Sequence, residues 1–337
     1  MCSGGLRILR FIANVFELKR STKGQLGFLF VKRRSRRGAQ ILVYHRVNDE
    51  NDPMFPGIPT DVFTQQMEYI ADHYTVCSLT EVLQRLQSDD LPIDLLTITF
   101  DDGYRDNYSN AFPVLKRLGL PATIFLATDV IGTGRVLWHD RVFAAFRTTQ
   151  ARVLRGWDGD GRNYPLVSGA EKSTALHHFL KFLWSLDDDA KSIWIAKLVD
   201  RLGVDEQTIN PELMLDWGHV KAMSEHNIEF GAHTVSHPIL SKVSTQRAWE
   251  EIHTSKKLIE SKIKLPVRHF AYPVGRAVDF TLQTKDLLRE AGFESAVTTI
   301  SGSNDSDRDL FELRRATPWD HEIDSFALRL CQFKLFS

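Results

Sequence analysis

ITFDDGY, residues 98–104, is the stretch on which the fold of this chain turns. An apolar strand through Thr97, Ile98, Thr99 and Phe100 runs straight into two adjacent aspartates, Asp101 and Asp102, and then Gly103. Carboxylates at the end of a buried strand must be solvated, paired with cations or bound to a metal, because an unpaired buried charge is costly. The residues around this stretch decide among the three.

Working outward, the same motif of a short apolar run followed by a helical pattern recurs along the chain. Strands are expected at 41–44, 74–78, 96–100, 122–126, 228–232, 269–272 and 295–299. Segments of helical periodicity follow most of them, at 61–73, 80–86, 108–118, 220–225, 245–262 and 279–291. Strands alternating with helices predict an α/β fold with a parallel sheet, open or closed into a barrel. The rhythm breaks at about 132–216, where no strand is evident and 173–186 and 188–202 read as two helices. The second opens on Asp187, Asp188 and Asp189, a helix start and not a calcium loop, since the further oxygen ligands are missing. This segment is expected to be a helical insertion after the fourth strand, over the face where strand ends open.

The polar residues gather at strand ends. The run 41–44 ends in His45, 96–100 in Asp101 and Asp102, 228–232 in His233 with His237 four positions on, and 269–272 in Pro273, Val274 and Gly275. In a parallel barrel these ends share one face, so residues distant in sequence converge. Asp102, His233 and His237 would then make a site of two imidazoles and one carboxylate, suited to Zn²⁺ and also to Fe, Co, Mn or Ni. Asp101 would be left free to move protons. Taken singly, HxxxH is also a pair of hydrogen-bonded histidines and DDG is also an ordinary turn; their convergence on one face favours the metal.

TFDDGY at 99–104, HTVSH at 233–237 and FAYPVG at 270–275, in that order and spacing, resemble the leading motifs of the polysaccharide deacetylase family, the NodB-homology deacetylases of carbohydrate esterase family 4. The resemblance spans roughly 39–130 and 215–318. It implies a distorted (β/α)7 barrel, a divalent metal, usually zinc, and hydrolysis of N-acetyl groups on amino sugars. It also implies Asp101 as catalytic base and Asp102, His233 and His237 as metal ligands. A backbone N–H at the Val274 turn would receive the tetrahedral oxyanion.

Two departures from the common pattern matter. Many members take their general acid from a leucine-x-histidine motif near the C-terminus. Here LFELRRATPWDH places Arg314 and Arg315 after Leu313, and His321 lies beyond Trp319. VYHRV at 43–47 resembles instead a permuted branch in which a histidine after the first strand is the acid, which implies His45. The second departure is Ala271, where many deacetylases carry an arginine that orients the base; Arg268, Arg276 and Arg315 are the candidates for that role. Trp138 with His139 and Asp140, Trp217 and Trp319 are of interest as sugar-stacking groups, with core packing the expectation for the tryptophans; Trp184 and Trp194 are expected to pack within the insertion.

Composition bounds the rest. With 337 residues, 43% hydrophobic and 25% charged, the chain can bury one main domain, 39–337, and is neither disordered nor fibrous. Residues 1–38 hold ten Lys and Arg against Glu17 alone, a net +9, which leaves −10 for the remainder of a chain whose total is −1. Ile8, Ile12, Val15 and Phe16 share a helical face there, a pattern for an anionic membrane surface or for a terminal helix docked on the protein. Arg10 and Asn14 break the apolar run, which is too short to span a bilayer and does not read as an export signal. The expected location is therefore cytoplasmic, peripheral on the membrane face, with an N-acetylated glycan or lipid-linked sugar as substrate. No nucleic-acid motif accompanies the basic tail. Cys2, Cys77 and Cys331 are far apart and suggest neither a disulfide framework nor a thiolate site. Two alternatives stand beside the deacetylase: a glycosidase, which lacks an evident second carboxylate for Asp101, and a catalytically degenerate sugar-binding scaffold of the same fold.

Overall fold

A computed structural model describes residues 38–156, 161–205 and 209–335. The basic segment 1–38 and its expected surface helix lie outside these residues, Gly38 excepted. Among the described residues no helix is long and apolar enough to cross a membrane.

The core is a mostly parallel sheet nearly closed into a barrel. Seven strands follow one another around it: β1 (Gln40–Tyr44), β3 (Leu95–Phe100), β4 (Ala122–Leu126), β7 (Ile228–Ala232), β8 (His269–Ala271), β9 (Ser295–Ser301) and β10 (Leu313–Arg315). The ring is brought together where Leu42 bridges Ala316; the Val43 N–H donates to the Ala316 carbonyl at 3.0 Å, and the Ala316 N–H to that of Ile41 at 2.8 Å. QILVY and LLTITF are buried at every position, as strands covered on both faces require. Helices α1 (Thr60–His73), α2 (Leu79–Ser88), α3 (Phe112–Leu118), α7 (Trp217–Ser224), α8 (Thr245–Ile263), α9 (Leu282–Glu290) and α10 (Ile323–Leu335) surround the sheet. Their polar starts follow the capping rule: the Ser78, Asp216, Ser244 and Thr281 side chains each accept a backbone N–H of the first turn of α2, α7, α8 and α9.

Two expectations about the strands change. The run 74–78 yields only β2 (Thr75–Val76), which pairs with the opening residues of β3 and stands off the barrel path. The seventh barrel strand is β10. Its three residues include two arginines, so no apolar run announces it; it is a strand because β9 and β1 flank it.

The insertion between β4 and β7 holds more than two helices. It contains α4 (Trp138–Thr148), an antiparallel hairpin of β5 (Val153–Arg155) and β6 (Asn163–Pro165), then α5 (Gly169–Leu183) and α6 (Asp188–Arg201). Asp187 caps α6 by accepting the Ala190 N–H at 2.8 Å. Phe146, Leu176, Phe179, Leu183, Ile195 and Leu198 form an apolar core distinct from that of the barrel, so the insertion buries its own interior. Its far end returns to the barrel beside the DDGY loop: Tyr104 bridges Met214, and the Leu215 N–H donates to the Gly103 carbonyl at 2.9 Å.

Candidate active site

The strand ends converge as a parallel barrel demands. Register pairs Tyr44 with Phe100, so the next residues, His45 and Asp101, leave neighbouring strands side by side. β4 pairs with β7 up to Ala232, and β7 with β8 through Phe270, which brings His233 and the Pro273–Gly275 turn to the same face.

The backbone here is unusual. Eight non-glycine residues among those described have positive φ, and four are at this face: Asp102 (74°), Thr234 (68°), His237 (59°) and Val274 (62°). For β-branched threonine and valine the left-handed region is disfavoured, and such conformations persist where surrounding contacts over-determine them.

Asp101 is buried and held from two points. Arg315 Nη1 donates to Oδ1 at 2.8 Å and Nη2 to Oδ2 at 2.6 Å. Arg315 is itself fully buried, with Nε on the Thr298 carbonyl at 2.7 Å and Nη1 on Thr99 Oγ1 at 3.2 Å. Burial alone would raise the carboxyl pKa; the guanidinium outweighs it and holds the pKa at about 2. The other two arginine candidates are engaged elsewhere. Arg268 pairs with Glu294 at the surface, and Arg276 pairs with Asp279 at 2.8 Å and lies over the Trp184 ring.

Asp102 is the opposite case. Its Oδ1 is buried without any hydrogen-bond donor, yet His233 Nε2 and His237 Nε2 each stand 3.5 Å from it. Burial, then the negative charges of Asp101 and Asp140, push its pKa well up. His233 donates from Nδ1 to the Ala271 carbonyl at 2.7 Å, which leaves the Nε2 lone pair facing Asp102 when the ring is neutral. Burial lowers the His233 pKa to about 4 and that of His237 well down, with the neighbouring histidines adding to the latter, so both rings stay neutral. Asp102, His233 and His237 each offer an atom within 4.8 Å of the others. An orphaned buried carboxylate oxygen facing two neutral imidazoles is what a divalent cation would satisfy, and the residues fit that group.

His45 is half-buried after β1, its ring 6.3 Å from that of Phe55 and its carbonyl accepting from Asn107 Nδ2 at 2.8 Å. Burial lowers its pKa, and the charge of Asp101 works against that shift. At the Val274 turn the carbonyl accepts from Thr299 Oγ1 at 2.7 Å, while the Val274 N–H finds no protein acceptor among the described residues.

The insertion lies over the strand ends as expected, but its contacts with the site residues were not read from the sequence pattern. Trp138 Nε1 donates to the His237 carbonyl at 3.0 Å and approaches Nδ1 at 3.2 Å. His139 Nε2 lies 3.8 Å from Asp102 Oδ2 and 2.9 Å from the Tyr104 hydroxyl, which donates to Asp140 Oδ1 at 2.9 Å. Burial raises the Asp140 pKa to about 7 despite that bond. The advance signals were the expected position of the insertion and the clustering of Trp138, His139 and Asp140. Trp319, by contrast with the expectation of core packing, is 49% exposed just beyond β10. Trp194 packs on Phe182 within the insertion, and Trp217 against the barrel core.

A family model described as polysaccharide deacetylase matches residues 88–296. YxkH of Bacillus subtilis, which carries that family's name, is 25% identical over 277 residues, 82% of this chain and 69% of its own. The poly-β-1,6-N-acetyl-D-glucosamine N-deacetylase of Staphylococcus epidermidis is 31% identical over 110 residues, 28% of this chain and 38% of its own. Among solved structures, the Streptococcus pyogenes deacetylase PplD, in complex with acetate, superposes with a TM-score of 0.59 at 19% identity, over 88% of this chain and 98% of that one. IcaB from Ammonifex degensii gives 0.54 at 20% identity, over 89% and 98%. At these identities the two structures speak for the barrel fold.

Proposed function

The chain belongs to the polysaccharide deacetylase family, and on that premise we propose that it is a metal-dependent hydrolase that removes N-acetyl groups from amino sugars of a surface polysaccharide or its lipid-linked precursor. The observation that carries the proposal is the pairing of two unlike carboxylates at one strand end. Asp101 is ionised by Arg315, and Asp102 has an orphaned oxygen facing two neutral imidazoles.

Asp102, His233 and His237 would hold the metal; their donor types suit zinc, with Co, Mn, Ni or Fe also compatible. A divalent ion bound there would polarise the amide carbonyl and acidify the attacking water, which is what lets a carboxylate as weakly basic as Asp101 serve as proton acceptor. Were His237 to bind the metal through Nε2, its ring proton would lie on Nδ1 and the Trp138 N–H would be left to the His237 carbonyl. Asp101 takes the proton of the attacking water, and Arg315 keeps its carboxylate aimed. The Val274 N–H donates to the oxygen that becomes negative. His45, beside Asp101 at the neighbouring strand end, returns a proton to the departing sugar amine, the role of the permuted branch.

Acetate release from N-acetylglucosamine oligomers and from a β-1,6-linked polymer tests the activity; the name of the Staphylococcus epidermidis relative motivates the second substrate. Acetate without new reducing ends is expected. New reducing ends would indicate a glycosidase. No acetate with any of the five metals, despite sugar binding, would favour a degenerate scaffold. That alternative drew on the missing base-orienting arginine and on the displaced general acid; the pairing of Arg315 with Asp101 speaks against the first, and His45→Ala tests the second. The membrane-face location rests on the charge of residues 1–38: the full chain, and not one lacking them, should sediment with anionic liposomes.

A further inference from the structure

The turn at 233–237 carries two left-handed residues, Thr234 and His237, and its outward-facing groups are held from both sides. On one side the Thr128 and Asp129 N–H groups donate to the Thr234 and Val235 carbonyls at 3.1 and 2.9 Å. On the other stands Glu251 of α8, a carboxylate only 3% exposed. The Val235 and Ser236 N–H groups both donate to its Oε2 at 2.8 Å, and Ser236 Oγ donates to Oε1 at 2.6 Å. Arg247 Nε donates to Oε1 from 3.0 Å, while its Nη2 donates to Ser236 Oγ at 3.3 Å and reaches towards Asp188 of the insertion at 3.9 Å.

We propose that Glu251 is a positioning residue for the candidate metal centre. It touches neither imidazole. It takes three donors from Val235 and Ser236, between His233 and His237, and so determines where the two Nε2 atoms stand relative to Asp102. A buried charged acceptor is suited to this, because charge-assisted bonds to backbone N–H are short and strong. An otherwise unfavourable turn is thereby kept in one shape before any metal arrives. The neighbouring Glu250 is exposed and, among the described residues, its carboxylate bonds to Gln246 of its own helix and not to the turn, which makes it the natural control.

The proposal rests on the metal reading of Asp102, His233 and His237, and its test separates the two. Zinc affinity is measured by chelator competition on the full chain, alongside thermal melts of the metal-stripped protein, for wild type, Glu251→Gln, Glu251→Asp, Ser236→Ala and Glu250→Gln. Glu251→Gln turns an amide nitrogen towards donors and is expected to weaken zinc by about 10- to 100-fold, as loss of an outer hydrogen-bond partner does. Glu251→Asp should recover part of this affinity, and Glu250→Gln should match wild type. Ser236→Ala, which removes one of the three turn donors to Glu251 and the acceptor of Arg247 Nη2 but leaves the carboxylate, should weaken zinc by a smaller factor; it decides the matter if Glu251→Gln does not fold. A lower melting temperature for the Glu251 variants with zinc affinity unchanged would mean a merely structural carboxylate and overturn the proposal. Wild type that takes up no zinc would overturn the metal reading and this proposal together.

Discussion

Arg315 and Asp101, 214 positions apart, meet in a two-point ion pair of 2.8 and 2.6 Å that is sealed from solvent. Lysine cannot reproduce the planar fork, so Arg315→Lys is expected to lower kcat by about 10- to 100-fold through a misaimed carboxylate. The sign of the pH effect follows from the pair: without the guanidinium the Asp101 pKa rises from about 2. The acidic limb of the kcat/KM profile should therefore move to higher pH in Arg315→Ala. An unmoved limb would disconnect Arg315 from the base.

Metal content gives the second test. Wild type should hold about one divalent ion per chain by elemental mass spectrometry, and Asp102→Ala and His233→Ala should hold far less. Because a ligand bound only by the folded state stabilises it, chelation should lower the melting temperature; at free metal 100-fold above Kd the difference is about 2.7 kcal/mol. Equal metal in all three proteins would remove the three-ligand site.

His45→Ala should cut turnover by about 10²- to 10⁴-fold, the usual worth of a general acid, while metal content stays at the wild-type level. Loss of metal in this variant would make His45 a ligand instead.

His269 predicts an acid sensitivity away from the metal ligands. It is buried, with Nδ1 on Ser295 Oγ and Nε2 on Thr80 Oγ1, both at 2.9 Å, and burial lowers its pKa to about 3. The unfolded chain binds this proton near the ordinary pKa of about 6.5 and the folded chain does not, so its contribution is complete above about pH 6.5 and is lost as pH falls towards 3. Urea unfolding of metal-stripped protein across that window should show a shallower loss of stability in His269→Gln, by up to about 1.4 kcal/mol per pH unit. Parallel slopes for the two proteins would contradict it.

The motif strands were legible because their signals are local. LLTITF is apolar or β-branched throughout and ends at Asp101; HTVSH follows the strand IEFGA, and FAYPVG opens on its own short apolar run. The alternation of such runs with helical segments was enough for a parallel α/β sheet, open or closed, and the resemblance of the motifs implied the barrel. What depended on ring closure was not legible. LRR at 313–315 has no strand pattern of its own, and it becomes the seventh barrel strand only because β9 and β1 flank it.

The chain's sequence by itself thus determined the parallel α/β alternation and the residues that stand at its strand ends. Tertiary structure alone decided which of Arg268, Arg276 and Arg315 meets Asp101, that Trp138, His139 and Asp140 of the insertion reach the same site, and that Glu251 takes up the turn between the two histidines. The physical reason is that apolar periodicity is written residue by residue, whereas a buried charge is tolerable only beside its partner, and partners so far apart along the chain are joined by the fold alone.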